Sequence, residues 1–169
     1  MEVPEMIHDG RFSAEIDEDF VVFLIGSRVH RPFRFREWLP VARAMTAMQR
    51  EISEHPEIGC LHIENFGALK NISVQYWRSF DHLERFARSG EWSHLEAWRQ
   101  FNKLIRDSGD LGIWHETYLV PAGRYETMYG NMPVFGLAAA GRHVRIDAGS
   151  TAARRTRARP DDTAPVPGY

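Results

Sequence analysis

Six successive apolar residues, Phe20-Val21-Val22-Phe23-Leu24-Ile25, follow the acidic run Asp17 to Asp19 and are closed by Gly26. A β-branched and aromatic run of that length predicts a central strand buried on both faces. The period then changes. From Glu37 onward Trp38, Val41, Met45, Met48 and Ile52 recur at helical spacing, which predicts a helix with Pro40 in its first turn and a stop at His55-Pro56. Gly59 to Phe66 and Asn71 to Trp77 return to period two across Gly67-Ala68-Leu69-Lys70, the pattern of a hairpin. Ser79 then caps a short helix carrying Leu83, Phe86 and Ala87, closed by Ser89-Gly90. Ser93-His94-Leu95-Glu96 is a capping box that opens a second helical piece with the stripe Trp98, Phe101 and Ile105. Ser108-Gly109-Asp110 breaks it, and Leu111 to Val120 reads as a strand ended by Pro121 and Gly123.

The resulting order is β-α-β-β-α-β with the second helix split, which makes the fold class α+β and the architecture ferredoxin-like. Helices cover one face of such a sheet. The predicted strands carry large side chains on both faces, so the bare face is expected to be covered by a second copy in a homodimer. Tyr125 to Pro133, rich in aromatics and methionine, is expected to fold back as a lid or to clasp the partner chain. Residues 1–147 are expected to form the folded domain, and the Ser, Thr, Ala, Arg and Pro composition of 148–169 predicts a disordered, arginine-bearing tail.

Composition narrows the function classes. With 43% apolar residues, 169 residues suffice for a full core, and no apolar run approaches the length of a membrane span. A net charge of −2 with both signs interspersed gives no field for nucleic acid or anionic lipid. Cys60 stands alone, and the N-terminal residues lack a secretory pattern, so a reducing cytoplasm is the expected compartment. The sequence holds no glycine-rich nucleotide loop, no nucleophile elbow and no His/Cys cluster at zinc spacing, so no metal is expected. Aromatic residues make up 12% of the chain, which on composition points first to a well-filled core with a few exposed rings and second to an aromatic-lined cavity for an apolar ligand.

The candidate chemistry gathers between Ser93 and Glu116. On the second helical piece His94, Trp98, Phe101 and Asn102 share one stripe, so a histidine and an amide join two rings on the core-facing side. A histidine satisfied at a helix start by solvent or a carbonyl is the plain alternative. In the last strand Trp114, Glu116 and Tyr118 share one face, and His115 takes the other. Tyr76 and Arg78 share a face of the preceding strand, and Arg78 is the candidate partner for Glu116, as an ion pair or a dimer contact. The candidate catalytic residues are therefore His94, Asn102, His115 and Glu116, and the candidate substrate-binding residues are Tyr76, Arg78, Trp98, Phe101, Trp114 and Tyr118.

Five segments add a resemblance: Gly10-Arg11-Phe12, Val74 to Ser79, His94 to Asn102, Gly112 to Tyr118, and Tyr129-Gly130-Asn131-Met132-Pro133. As a set they resemble a bacterial and fungal monooxygenase-like family that includes the fumagillin-pathway monooxygenase. That resemblance implies the dimeric α+β barrel superfamily of antibiotic-biosynthesis monooxygenases, which agrees with the order of elements. It also implies an oxidoreductase acting on an apolar, secondary-metabolite substrate, either without a cofactor or with heme. In the cofactor-free version His94 takes a substrate proton, and Asn102 or Arg78 steadies the oxyanion. In the heme version, a heme-binding protein or heme-dependent lyase or dehydratase, His94 is the iron ligand and binding is non-covalent. A non-catalytic ligand-binding dimer is the third expectation.

Overall fold

The computed structural model describes residues 5–90, 92, 101–102, 109–147 and 150–156. Strands β1 (His8–Glu15) and β2 (Phe20–Val29) lead into helix α1 (Phe35–Glu54), and β3 (Cys60–Phe66) and β4 (Lys70–Trp77) follow. Helix α2 (Phe80–Arg88) then precedes β5 (Leu111–Val120), β6 (Tyr129–Met132) and β7 (Arg142–Arg145), with single helical turns at Leu137–Ala140 and Ala152–Arg155. These elements fall into two compact units, one made of Val21–Tyr118 and one of the residues up to Phe20 with those from Leu119 on.

In the Val21–Tyr118 unit the sheet order is β3-β4-β2-β5. Strand β4 pairs antiparallel with both β2 and β3. This is the ferredoxin-like β-α-β-β-α-β arrangement that the sequence pattern predicts. The hairpin turn needs its glycine: Gly67 sits at φ +75°, and a Cβ there would run into the Lys70 carbonyl. The Ser79 hydroxyl accepts from the His82 backbone N–H at 3.3 Å, the predicted cap of α2.

Helix α1 starts at Phe35, two residues before the expected Glu37. Pro40 therefore lies beyond the first turn, where its missing N–H leaves the Arg36 carbonyl without the usual helical partner. The predicted stripe faces inward: Met48 and Ile52 join Val21, Trp77, Leu83 and Phe86 in one core cluster, and Val41 joins Phe101 and Leu111 in another. Met45 packs against both.

Strand alternation divides the sheet. Ile25, Ser27, Ser73, Gln75 and Trp77 point to the helix side. Val22 opposite Tyr76, and Leu24 opposite Val74, point the other way. On that second face Gly26 leaves room for an indole, since a Cβ would lie 2.7 Å from Trp114 Nε1 and 2.6 Å from the Asn71 carbonyl oxygen.

The other unit holds three strands that the apolar pattern did not single out, in the order β6-β1-β7. They are short, and the period-two signal in His8–Glu15 is weak because four of its residues are His, Asp, Arg and Glu. Polar contacts hold it together. The Tyr125 hydroxyl accepts from the Ile16 N–H at 2.6 Å, the Ala14 N–H donates to Thr127 Oγ1 at 2.8 Å, and Arg142 forks to Glu15 and Asp17. Tyr129–Met132, within the segment expected as lid or clasp, pairs with β1. Within the segment expected as a disordered tail, Ala152–Arg155 makes one helical turn, and Arg155 pairs with Glu126 at 2.6 Å. Residues 148–149 and 157–169 lie outside the described residues.

His143 on β7 stacks on Phe12 at 4.2 Å and meets the His8 ring at 4.9 Å, with Tyr129 further out. Its Nε2 is buried with no hydrogen-bond partner among the described residues. Burial, with the His8 charge second, pushes the His143 pKa below its ordinary value. The folded sheet thus binds that proton more weakly than the unfolded chain does, so stability present above about pH 6.5 is lost as pH falls below it. Thermal melts at about pH 7.5 and about pH 5.5 should show a lower midpoint at the acid value, and His143→Phe should flatten the difference. Equal acid sensitivity in the variant would place the titrating group elsewhere.

Candidate functional site

Between α1 and the helix side of the sheet the Val21–Tyr118 unit leaves a cavity of about 220 Å3. One wall is α1, through Trp38, Val41, Ala42 and Met45, and the floor is apolar sheet, through Ile25, Val29, Leu111 and Ile113. The predicted helix stripe thus serves two ends: its C-terminal half fills the core, and its N-terminal half faces open space. Trp38 is held in place by its indole N–H, which donates to the Pro32 carbonyl at 3.0 Å, leaving the ring to face the cavity.

The polar part of the lining consists of hydroxyls and carboxamides: Ser27, Thr46, Gln49, Asn65, Asn71 and Ser73. Among the described lining residues none is Asp, Glu, His, Lys, Arg, Tyr or Cys. Several of these polar groups are wired together. Gln49 Nε2 donates to Asn65 Oδ1 at 2.9 Å and to Ser73 Oγ at 3.4 Å. Gln75 Nε2 also donates to Ser73 Oγ, and the Trp77 indole N–H closes the chain on Gln75 Oε1 at 3.0 Å. Ser73, Gln75 and Trp77 are 3%, 2% and 0% exposed, so this polar row runs into the dry core and its members have to satisfy one another. At the cavity's other end Asn71 Oδ1 accepts from the Ser27 N–H and hydroxyl.

A shallower groove of about 600 Å3 adjoins the cavity and shares Thr46, Gln49 and Asn65 with it. It runs along the outer edge of β3 past Cys60 and His62. The Cys60 thiol is pushed up to about 12, chiefly by burial, so it stays protonated. At the cavity's far side the buried Asp110 carboxylate meets Arg31 and Arg34, each at 3.1 Å.

Eight of the ten sequence-derived candidates are among the described residues. His94 and Trp98 lie outside the described residues. Phe101 is buried against Val41 and Leu111, one layer behind the cavity lining, with Asn102 partly buried beside it. His115 is exposed, its ring 5.7 Å from that of Phe23. Trp114 and Tyr118 are 40% and 50% exposed, and Glu116 accepts the Tyr118 hydroxyl at 2.5 Å. That short bond to the carboxylate raises the Tyr118 pKa. Arg78 is exposed, and Tyr76 lies on the face turned from the helices. None of these eight described residues lines the cavity. The signal that could have found the lining is polar residues on the inward face of apolar strands, Ser27 in β2 and Asn71 and Ser73 in β4.

Among the described residues no group of three or more His, Cys, Asp or Glu gathers as metal ligands, and no helix is long and apolar enough to cross a membrane.

Comparison with known proteins places this architecture. The solved structure of aldoxime dehydratase OxdRE with butyraldoxime superposes with a TM-score of 0.61 over 79% of this chain and 42% of that one, at 16% identity, a likeness of fold. The structure of Rv0793 from Mycobacterium tuberculosis matches 57% of this chain and 92% of that one, with TM-score 0.42 and 15% identity. Monooxygenase af470 of Aspergillus fumigatus is 29% identical over 123 residues, 66% of this chain and 42% of that protein. The chain thus spans about two fifths of that relative's length. The Monooxygenase af470-like family profile matches residues 20–137, which take in β2 to β5 and every residue lining the cavity, and the chain belongs to that family.

Proposed function

We propose that this protein is a small oxygenase that takes an apolar substrate into the cavity between α1 and the sheet and oxidises it with dioxygen. The observation that carries the reading is the cavity itself: an apolar floor and a few placed hydrogen-bonding groups, all inside the family-matched stretch. In the reaction a substrate CH2 flanked by electron-withdrawing or aromatic groups loses a proton, and its carbanion passes electrons to dioxygen. One oxygen atom then enters as the carbonyl and the other leaves as water, so the substrate supplies all the reducing equivalents. His94 is the proposed base, on the helical piece that the sequence pattern predicts to carry Phe101 and Asn102 as well. Oxygen uptake with electron-rich phenols and enols tests this. His94→Ala should lower turnover by about 10²- to 10⁴-fold, and unchanged uptake would remove that histidine from the role.

Heme is the competing cofactor for such an enzyme, and the described cavity does not suit it. At about 220 Å3 it lies below the ~300–1,000 Å3 of drug-sized pockets. In the adjoining groove the Cys60 thiol is held protonated, and His62 Nε2 is already engaged with Glu64 Oε1 at 2.8 Å. Titration with hemin should leave the Soret band of free hemin unchanged, and a shift complete at one equivalent would overturn the cofactor-free reading.

The same reading makes the working form a homodimer joined through the sheet face opposite the helices. Phe66, Trp114 and Tyr118 on that face are 44%, 40% and 50% exposed, around the half-buried Val22, Leu24, Val74 and Tyr76. A second copy offers an identical apolar face, and two-fold pairing covers both at once. Light scattering coupled to size exclusion should give the mass of two chains, and Leu24→Arg should give one. A single-chain mass for the unmodified protein at micromolar concentration would overturn the dimer.

A further inference from the structure

The hydrogen-bonding capacity left over in the cavity has a definite chemical character. Ser73 Oγ accepts from both Gln49 and Gln75, so the proton of its own hydroxyl is left to donate. Asn65 spends its Oδ1 on Gln49, leaving its NH2 at the point where cavity and groove meet. Gln49 spends its NH2 on Asn65 and Ser73, leaving Oε1 as an acceptor. Two neutral donors and one neutral acceptor therefore line one end of a space whose apolar walls include Trp38, Val41 and Ile113, while Ser27 and Asn71 at the other end bond each other and the Thr46 hydroxyl donates to the Ala42 carbonyl. Its volume equals about seven waters' share of liquid, the size of a single substituted ring.

We infer that this cavity selects an uncharged ligand carrying a carbonyl or hydroxyl oxygen on a small apolar body, with Ser73, Asn65 and Gln49 as its specificity-determining residues. The inference rests on the cavity being the substrate site and adds the substrate class. A carboxylate or an ammonium group entering here sheds its water against hydroxyls and amides, with no opposite charge among the described lining residues to offset the loss. A purely apolar ligand enters freely but leaves the three polar groups without the partners that bulk water gave them. A neutral carbonyl meets both conditions: it accepts from Ser73 and Asn65, and any N–H or O–H beside it donates to Gln49. The same two donors then face the oxygen on which charge develops when the adjacent carbon loses its proton.

Four one-ring probes of similar size separate the possibilities: benzamide, benzoate, benzylamine and toluene, titrated into the full chain by 1H–15N NMR. The side-chain amide signals of Asn65 and Gln49 give a local readout independent of turnover. Benzamide should move those signals and bind at least ~10-fold more tightly than benzoate or benzylamine. Asn65→Leu, at the exposed mouth, should shrink its advantage over toluene several-fold, and Ser73→Ala should do the same if its core tolerates the change. Benzoate or benzylamine within twofold of benzamide would overturn the inference while leaving the cavity as the ligand site. Failure of all four, toluene included, to shift any signal from the lining would overturn the cavity's role and the inference together.

Discussion

Replacing Trp77 by alanine should lower the free energy of unfolding by about 3–5 kcal/mol, read from urea denaturation followed by circular dichroism. Trp77 has no exposed surface and sits in the cluster formed by Val21, Met48, Ile52, Leu83 and Phe86, with its ring 5.6 Å from that of Phe86. Truncation leaves a void between α1, α2 and the sheet, which three rigid elements cannot close. It also strands Gln75, 2% exposed, whose Oε1 accepts the indole N–H. The two costs can be separated. Trp77→Phe keeps most of the packing and removes the donor, so it should cost about 1–3 kcal/mol for the unpaired amide oxygen. Adding Gln75→Leu to that variant should restore part of the loss, because both partners are then apolar. A Trp77→Phe variant as stable as the parent would show that Gln75 finds another donor.

The sequence makes the Val21–Tyr118 fold legible because its strands and α1 are long and strongly periodic. The helix and sheet periods of Trp38 to Ile52 and of Asn71 to Trp77 survive any tertiary context, since each has a core to fill. The β6-β1-β7 sheet is hidden for the opposite reason: strands of four to eight residues bearing charge, held by Tyr125, Thr127 and Arg142 contacts more than 100 positions apart, carry no local signature. The candidate site is read from the helical piece bearing His94 and Asn102 and from His115 and Glu116 of the last strand, whereas the polar lining of the cavity consists of amides and hydroxyls from Ser27 to Ser73. An inward Ser73 or Asn71 among apolar neighbours is the informative exception, because a strand position that would most simply be valine holds a polar group only where it has partners.

Asp110 shows the same blindness, since the sequence pattern reads it only as part of a helix break. Its carboxylate is 1% exposed and meets Arg31 and Arg34, while its backbone carbonyl accepts the His30 N–H at 2.8 Å. Arg34 immediately precedes α1, which has no side-chain cap, and Asp110 immediately precedes Leu111 at the head of β5. One buried carboxylate therefore fixes the entry of α1 against the start of β5, and those elements carry opposite walls of the cavity, Trp38 and Val41 against Leu111 and Ile113. Breaking a fully buried pair costs about 3–5 kcal/mol because the surviving charge is stranded. Here the surviving arginines are 58% and 57% exposed and can turn to water, which argues for the smaller penalty of about 1–3 kcal/mol in Asp110→Ala. Asp110→Asn, which keeps the shape and loses the charge, should fall between. If the carboxylate positions the walls, Asp110→Ala should also weaken benzamide binding several-fold at a urea concentration far below the unfolding midpoint, with the Asn65 amide signal still reporting contact. Lost stability with unchanged affinity would make Asp110 a fastener of the fold alone, because a cavity whose walls had shifted could not hold the ligand equally well.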